Sequence, residues 1–83
     1  MKLARYTKFR EEKFGGVLFE TRSEKVFALN VTGAAIVREI GTGCTEGELA
    51  ARLADRYSDP GGGLEAEVRA FIARLRGQGL LED

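Results

Sequence analysis

The spacing of apolar positions changes once along this chain, at residues 30–31. Before that joint apolar and polar side chains alternate; after it the apolar ones recur every three or four residues. Residues 5–10 place Tyr6 and Lys8 on one face and Thr7 and Phe9 on the other, which predicts a first strand. Glu11-Glu-Lys13 reads as a polar turn. Phe14-Gly-Gly-Val-Leu-Phe-Glu20 predicts a second strand, with Gly15 and Gly16 admitting a bulge or unusual backbone angles at its start. Thr21-Arg-Ser-Glu24 has hairpin length. It leads to Lys25-Val-Phe-Ala-Leu-Asn30, whose β-branched, aromatic and aliphatic side chains suit a half-buried pleated surface.

From Val31 the pattern is helical. Gly33, Ile36, Val37 and Ile40 form one apolar stripe over residues 31–40, and Asn30 or Thr32 supplies the cap. Gly41-Thr-Gly43 closes this helix. Thr45 and Glu48 have capping-box spacing and open a second helix to about Tyr57, with Leu49, Leu53 and Tyr57 on one face. Ser58-Asp-Pro-Gly-Gly-Gly63 predicts a loop. The third helix, residues 64–78, carries Leu64, Val68, Phe71, Ile72 and Leu75 as its stripe and Glu65–Arg69 as an i,i+4 pair. Gly77 and Gly79 end it, and Leu80-Leu81 returns apolar side chains to the body. Three antiparallel strands followed by three helices is the pattern of a small α+β domain.

Composition narrows the function more than the fold. The chain has 83 residues, which predicts one domain over 1–83 with one modest core. Its 13 basic and 13 acidic side chains balance, whereas a nucleic-acid binder normally carries a basic excess for phosphate contacts. Cys44 is the single cysteine and cannot form an internal disulfide. The start reads as no signal peptide, and no apolar run approaches the ~20 residues of a membrane span. The expectation is a cytoplasmic protein without membrane contact.

Catalytic chemistry finds no foothold. With no His there is no general base of ordinary neutral pKa and no thiol–imidazole pair. One thiol and scattered carboxylates lack metal-ligand spacing, so neither metal nor cofactor is expected. Cys44 reads as a packing filler. Gly61-Gly-Gly63 precedes a helix as a phosphate loop does, but no Lys-Ser/Thr follows it. Two recognition chemistries remain. In one, the second and third helices form a helix-turn-helix with a strand wing, entering a DNA groove through Arg69, Arg74 and Arg76. Against it, Phe71 and Ile72 look committed to packing, the loop is longer than the usual tight turn, and charged helix faces usually mean only solvation. In the other, an extended peptide pairs with the exposed edge of the sheet at residues 25–30, its side chains dropping into a groove beside the third helix. Arg69, Arg74 or Arg76 would then meet acidic residues of the guest. A dimer partner covering that edge is the competing arrangement, and a structural interaction module has no specific support.

Leu29-Asn30-Val31-Thr32-Gly33, Ala35-Ile36, Thr45 with Glu48-Leu49, Leu53 and Tyr57, and then Val68, Phe71, Leu75 and Gly79-Leu80 resemble the PqqD-like family. These are peptide chaperones, also called RiPP recognition elements, for ribosomally made and post-translationally modified peptides. Arg10-Glu-Glu-Lys-Phe-Gly-Gly-Val-Leu-Phe19 further resembles the mycofactocin-pathway branch. The resemblance implies a winged-helix-like fold and no catalytic residues. It implies binding of a precursor's leader as an added strand and presentation to a radical S-adenosylmethionine (SAM) maturase. Carried onto this chain, the peptide-binding residues are Lys25, Val26, Phe27, Ala28 and Leu29 on the strand and Leu64, Val68, Arg69, Ile72 and Arg76 on the helix. Phe27 and Leu29 are expected to face the core, and the chain is monomer or homodimer. Gly41-Thr-Gly43 stands where many members have Asp-Gly, which argues against the pyrroloquinoline quinone pathway itself.

Overall fold

The computed structural model describes residues 1–56 and 63–82. Five strands and three helices follow in the order β1 (Lys2–Leu3), β2 (Thr7–Glu12), β3 (Gly15–Glu20), β4 (Lys25–Leu29), α1 (Val31–Gly41), α2 (Glu46–Arg56), α3 (Gly63–Gly77) and β5 (Leu81–Glu82). The expected three-stranded sheet is present, antiparallel in the order β2-β3-β4. Its first strand continues through Glu11 and Glu12, which had read as turn, because Glu12 pairs with Gly15 and leaves only Lys13 and Phe14 to reverse the chain. Gly15 is required there. Its φ is 145°, and a Cβ would collide with the backbone carbonyls of Leu29 and Asn30.

A second, two-stranded sheet joins the two ends of the described chain, and the hydrophobic pattern did not predict it. β1 pairs antiparallel with β5, Lys2 meets Glu82 at 3.5 Å, and the Ala4 N–H donates to Leu80 O at 2.8 Å. Two-residue strands are too short to show a period.

Helix caps follow the sequence reading. Asn30 Oδ1 accepts from the Gly33 N–H at 2.8 Å, so Asn30 caps α1 instead of extending β4. The Thr45 Oγ1 accepts from the Glu48 N–H, and Glu48 Oε1 accepts from the Thr45 N–H, both at 3.1 Å. Hydrogen bonding to the carboxylate from the Thr45 N–H first, and then from the Thr45 side chain, holds the Glu48 carboxyl below the usual range. Gly43, at φ 79°, turns the chain out of α1.

α1 lies on β3 and β4 and contacts β1 and α2. This placement buries Gly33, Ala34, Ala35, Ile36, Val37, Glu39 and Ile40. The core joins Leu18 and Leu29 of the sheet to Ile36, Val37 and Ile40 of α1, Leu49 and Leu53 of α2, and Val68, Ile72 and Leu75 of α3. Cys44 is buried among them, and burial pushes its thiol pKa up. The one charged group on the inner side of α1, Glu39, is met by Arg56 at 2.9 Å and Arg52 at 3.4 Å, which pins α2 to α1. Tyr57 and the expected loop at residues 58–62 lie outside the described residues; Gly63 belongs to α3.

Candidate functional site: a strand edge beside a helix

The sheet has two edges, and their side chains treat them differently. β2 carries Lys8, Arg10, Glu11 and Glu12, with Lys13 beyond, the charges that commonly guard an edge against unwanted pairing. β4 carries one charge, Lys25, at its start, and then Val26, Phe27, Ala28 and Leu29. It pairs with β3 on one side, and among the described residues no strand pairs with the other. Strand alternation turns Phe27 and Leu29 toward the helices, as expected, and leaves Val26 61% exposed.

Beside this edge lies a cleft of about 420 Å³. Ala28, Leu29 and Asn30 line it from the end of β4, Thr32, Gly33 and Ile36 from the start of α1, and Glu67, Ala70, Phe71 and Arg74 from α3. Asn30 joins the two first elements, so one cap both starts α1 and bounds the cleft. Phe71 is the one aromatic side chain in this lining. A Cβ on Gly33 would sit in ordinary contact with its ring and with the Leu29 Cβ, both at 3.5 Å, and more tightly, at 3.3 Å, against the capping Oδ1 of Asn30. Glu67 and Arg74 stand two helical turns apart, about 10 Å. Among the described residues neither has an ion-pair partner.

Both elements named from the sequence border the cleft, but α3 turns a different face to it. Val68 and Ile72 are 2% and 1% exposed and belong to the core. Leu64 is half-buried and packs against the same core. Arg69 pairs with Glu65 at 2.6 Å and lines a separate depression with Glu46, Gly47, Ala50 and Val68, between α2 and α3. Arg76 is exposed in the last turn of α3 and is not part of the cleft lining. At about 100° per residue, Arg69 and Arg76 flank the core stripe on one side, while Glu67, Ala70, Phe71 and Arg74 flank it on the other. Phe71 was the available signal: it stood in the apolar stripe, and Ala70 beside it keeps that flank low.

The far end of β4 is held by the β3–β4 turn. The Glu20 carboxylate accepts from the Ser23 hydroxyl, from the Ser23 N–H at 2.6 Å, and from the Arg22 N–H and Nε at 3.3 Å. These bonds, those of Ser23 first, hold its pKa down at about 2. Glu24 takes a left-handed φ of 60° to complete the turn. Among the described residues no group of three or more His, Cys, Asp or Glu could hold a metal ion, and no helix is long and apolar enough to cross a membrane.

A family model described as coenzyme PQQ synthesis protein D (PqqD) matches residues 15–81. Two solved structures share the fold. TbiB1, in complex with the TbiA(beta) leader peptide, superposes with a TM-score of 0.87 at 23% identity, over 99% of this chain and 95% of that one. Lasso peptide synthetase B1, complexed with the leader peptide, gives 0.81 at 24%, over 99% and 96%. No curated protein sequence matches the chain.

Proposed function

This chain belongs to the PqqD family, and on that premise we propose that it is a non-catalytic chaperone for the leader region of a ribosomally synthesised precursor peptide. The observation that carries this reading is the unguarded edge of β4 lying against a cleft that Phe71 lines. An extended guest adds as a fourth strand beside Lys25, Val26, Phe27, Ala28 and Leu29, with main-chain hydrogen bonds supplying affinity. Its inward side chains enter the cleft over Gly33, Ala70 and Phe71. Arg74 takes an acidic residue of the guest and Glu67 a basic one. Val68 and Ile72 hold α3 in place from inside the core, with Leu64 packed against it, and Arg69 and Arg76 lie outside the contact. Both structural neighbours were solved with leader peptides, which supports this choice of guest. The segment from Arg10 to Phe19 that resembles the mycofactocin branch contributes no cleft residue, so it speaks to lineage more than to contact. The loaded chain, a single domain in the cytoplasm, then hands its guest to a radical SAM maturase.

A heteronuclear NMR titration with a synthetic precursor leader tests the binding. Shifts should concentrate on residues 25–30, Gly33, Ala70, Phe71 and Arg74, and Arg74→Glu should weaken an acidic leader without changing the circular dichroism spectrum. A folded protein that shows no shifts with leaders, but binds duplex DNA with steep salt dependence, would overturn it in favour of a regulator. Delivery is tested separately, by co-elution of the loaded chain with the maturase; failure there removes the delivery step alone.

A further inference from the structure

The register of the sheet assigns each side chain to a face. Phe9, Leu18, Phe27 and Leu29 point toward the helices. On the opposite face Lys8, Phe19 and Val26 form one row across the strands, and Arg10, Val17 and Ala28 the next. The β4 end of both rows is apolar. Val26 is 61% exposed, Ala28 is exposed, Phe19 is half-buried and Val17 is buried behind them. The cations stand two strands away, where the Arg10 guanidinium lies 5.3 Å from the Phe19 ring centroid and binds Glu12. A solvated sheet face ordinarily turns polar side chains outward, and edges ordinarily carry charge. Between Val26 and Leu29, β4 does neither.

We propose that this chain selects guests with a run of consecutive apolar residues, because Val26 and Ala28 read the outward side chains while Phe27, Leu29 and the cleft read the inward ones. The proposal rests on strand addition at β4. A strand paired there sets its outward side chains beside Val26 and Ala28, with Cβ atoms about 5 Å apart. A β-branched side chain next to Val26 covers surface that is now exposed. The small Ala28 leaves room over Val17 for a larger, aromatic one. A charged side chain at either position loses water against Val26 and finds no counter-charge beside it, since Lys8 and Arg10 stand on β2, two strands from β4, and Arg10 is already engaged by Glu12. The guest class is therefore an uncharged extended segment, apolar on both faces, with its charges confined to the flanks where Lys25, Glu67 and Arg74 stand.

The test selects binders from a displayed library of short random peptides on the full chain and on Val26→Glu and Val26→Lys. Val26 is exposed, so both variants keep the fold. Wild-type binders should be apolar at consecutive positions. Val26→Glu should enrich Lys or Arg, and Val26→Lys should enrich Asp or Glu, at one outward position while the inward positions stay apolar. On one wild-type binder, Val26→Thr should lower affinity about threefold. Binders apolar only at alternate positions, and indifferent to all three substitutions, would overturn the two-face reading and leave strand addition standing. No enrichment on any of the folded proteins would overturn strand addition itself, and this proposal with it.

Discussion

Glu20 shows how one side chain sets the reach of the site. Its carboxylate gathers the Ser23 hydroxyl, two backbone N–H groups and Arg22, and so fixes the turn from which β4 departs. With the folded pKa at about 2 against an ordinary 4.5, the folded state releases this proton more readily than the unfolded one. The stabilisation is therefore complete above pH 4.5 and is lost as pH falls from there toward 2. Glu20→Gln should lower Tm at neutral pH and flatten this acid limb; thermal melts of both proteins across that window would show it. Phe71 and Ile72 are neighbours with separate duties. Ile72→Ala should cost about 3 kcal/mol of stability by leaving a core cavity. Phe71→Ala should retain more of the fold and lose peptide affinity. Paired urea melts and peptide titrations would separate the two; equal stability losses with unchanged binding would remove Phe71 from the site. The cap at Asn30 was legible because its carboxamide acts on the three residues after it. The face of α3 was not, because Val68, Phe71 and Ile72 are equally apolar and only packing tells core from cleft.

Among the elements, α1 has the central place, between the sheet and the other helices, and its small residues allow this. Gly33, Ala34 and Ala35 are all buried, so helix and strand approach closely at the joint where the cleft begins. Asn30→Ala should destabilise the domain by about 1 kcal/mol through the lost cap. It should also weaken peptide binding beyond that global loss, because the frayed start of α1 carries Thr32 and Gly33. Chemical-shift changes confined to residues 28–33 in the free variant would check the local effect. α2 is tied to α1 by Glu39 with Arg52 and Arg56, charges thirteen and more residues apart that no single-helix pattern could pair. α3 ends as its glycines suggested, with Gly79 at φ 75° and the Leu80 N–H donating back to Leu75 O at 3.0 Å.

At the scale of the molecule the two sheet edges decide what can bind. Both present main-chain groups, but β2 is crowded with charge and β4 is apolar and adjoins the cleft. Hydrogen exchange should therefore show β4 amides gaining protection when a leader peptide binds, with β2 amides unchanged; protection appearing on β2 would place the guest at the wrong edge. The sequence by itself determined the three strands of the larger sheet, the three helices, the capping box of α2 and the absence of His, and narrowed the cap of α1 to Asn30 or Thr32, since each follows from residues close together or from composition. It also singled out β4 and α3, through family resemblance and the apolar character of residues 26–29, and these two elements border the cleft. The tertiary structure decided the rest. It chose which of the two flanks of α3 borders the cleft, because that depends on how α3 rotates as Val68, Ile72 and Leu75 sink into the core. For the same reason, of Arg69, Arg74 and Arg76 only Arg74 lines the cleft. The β1–β5 pair exists only because the fold brings residues 2–3 and 81–82 side by side, a proximity that no local pattern encodes.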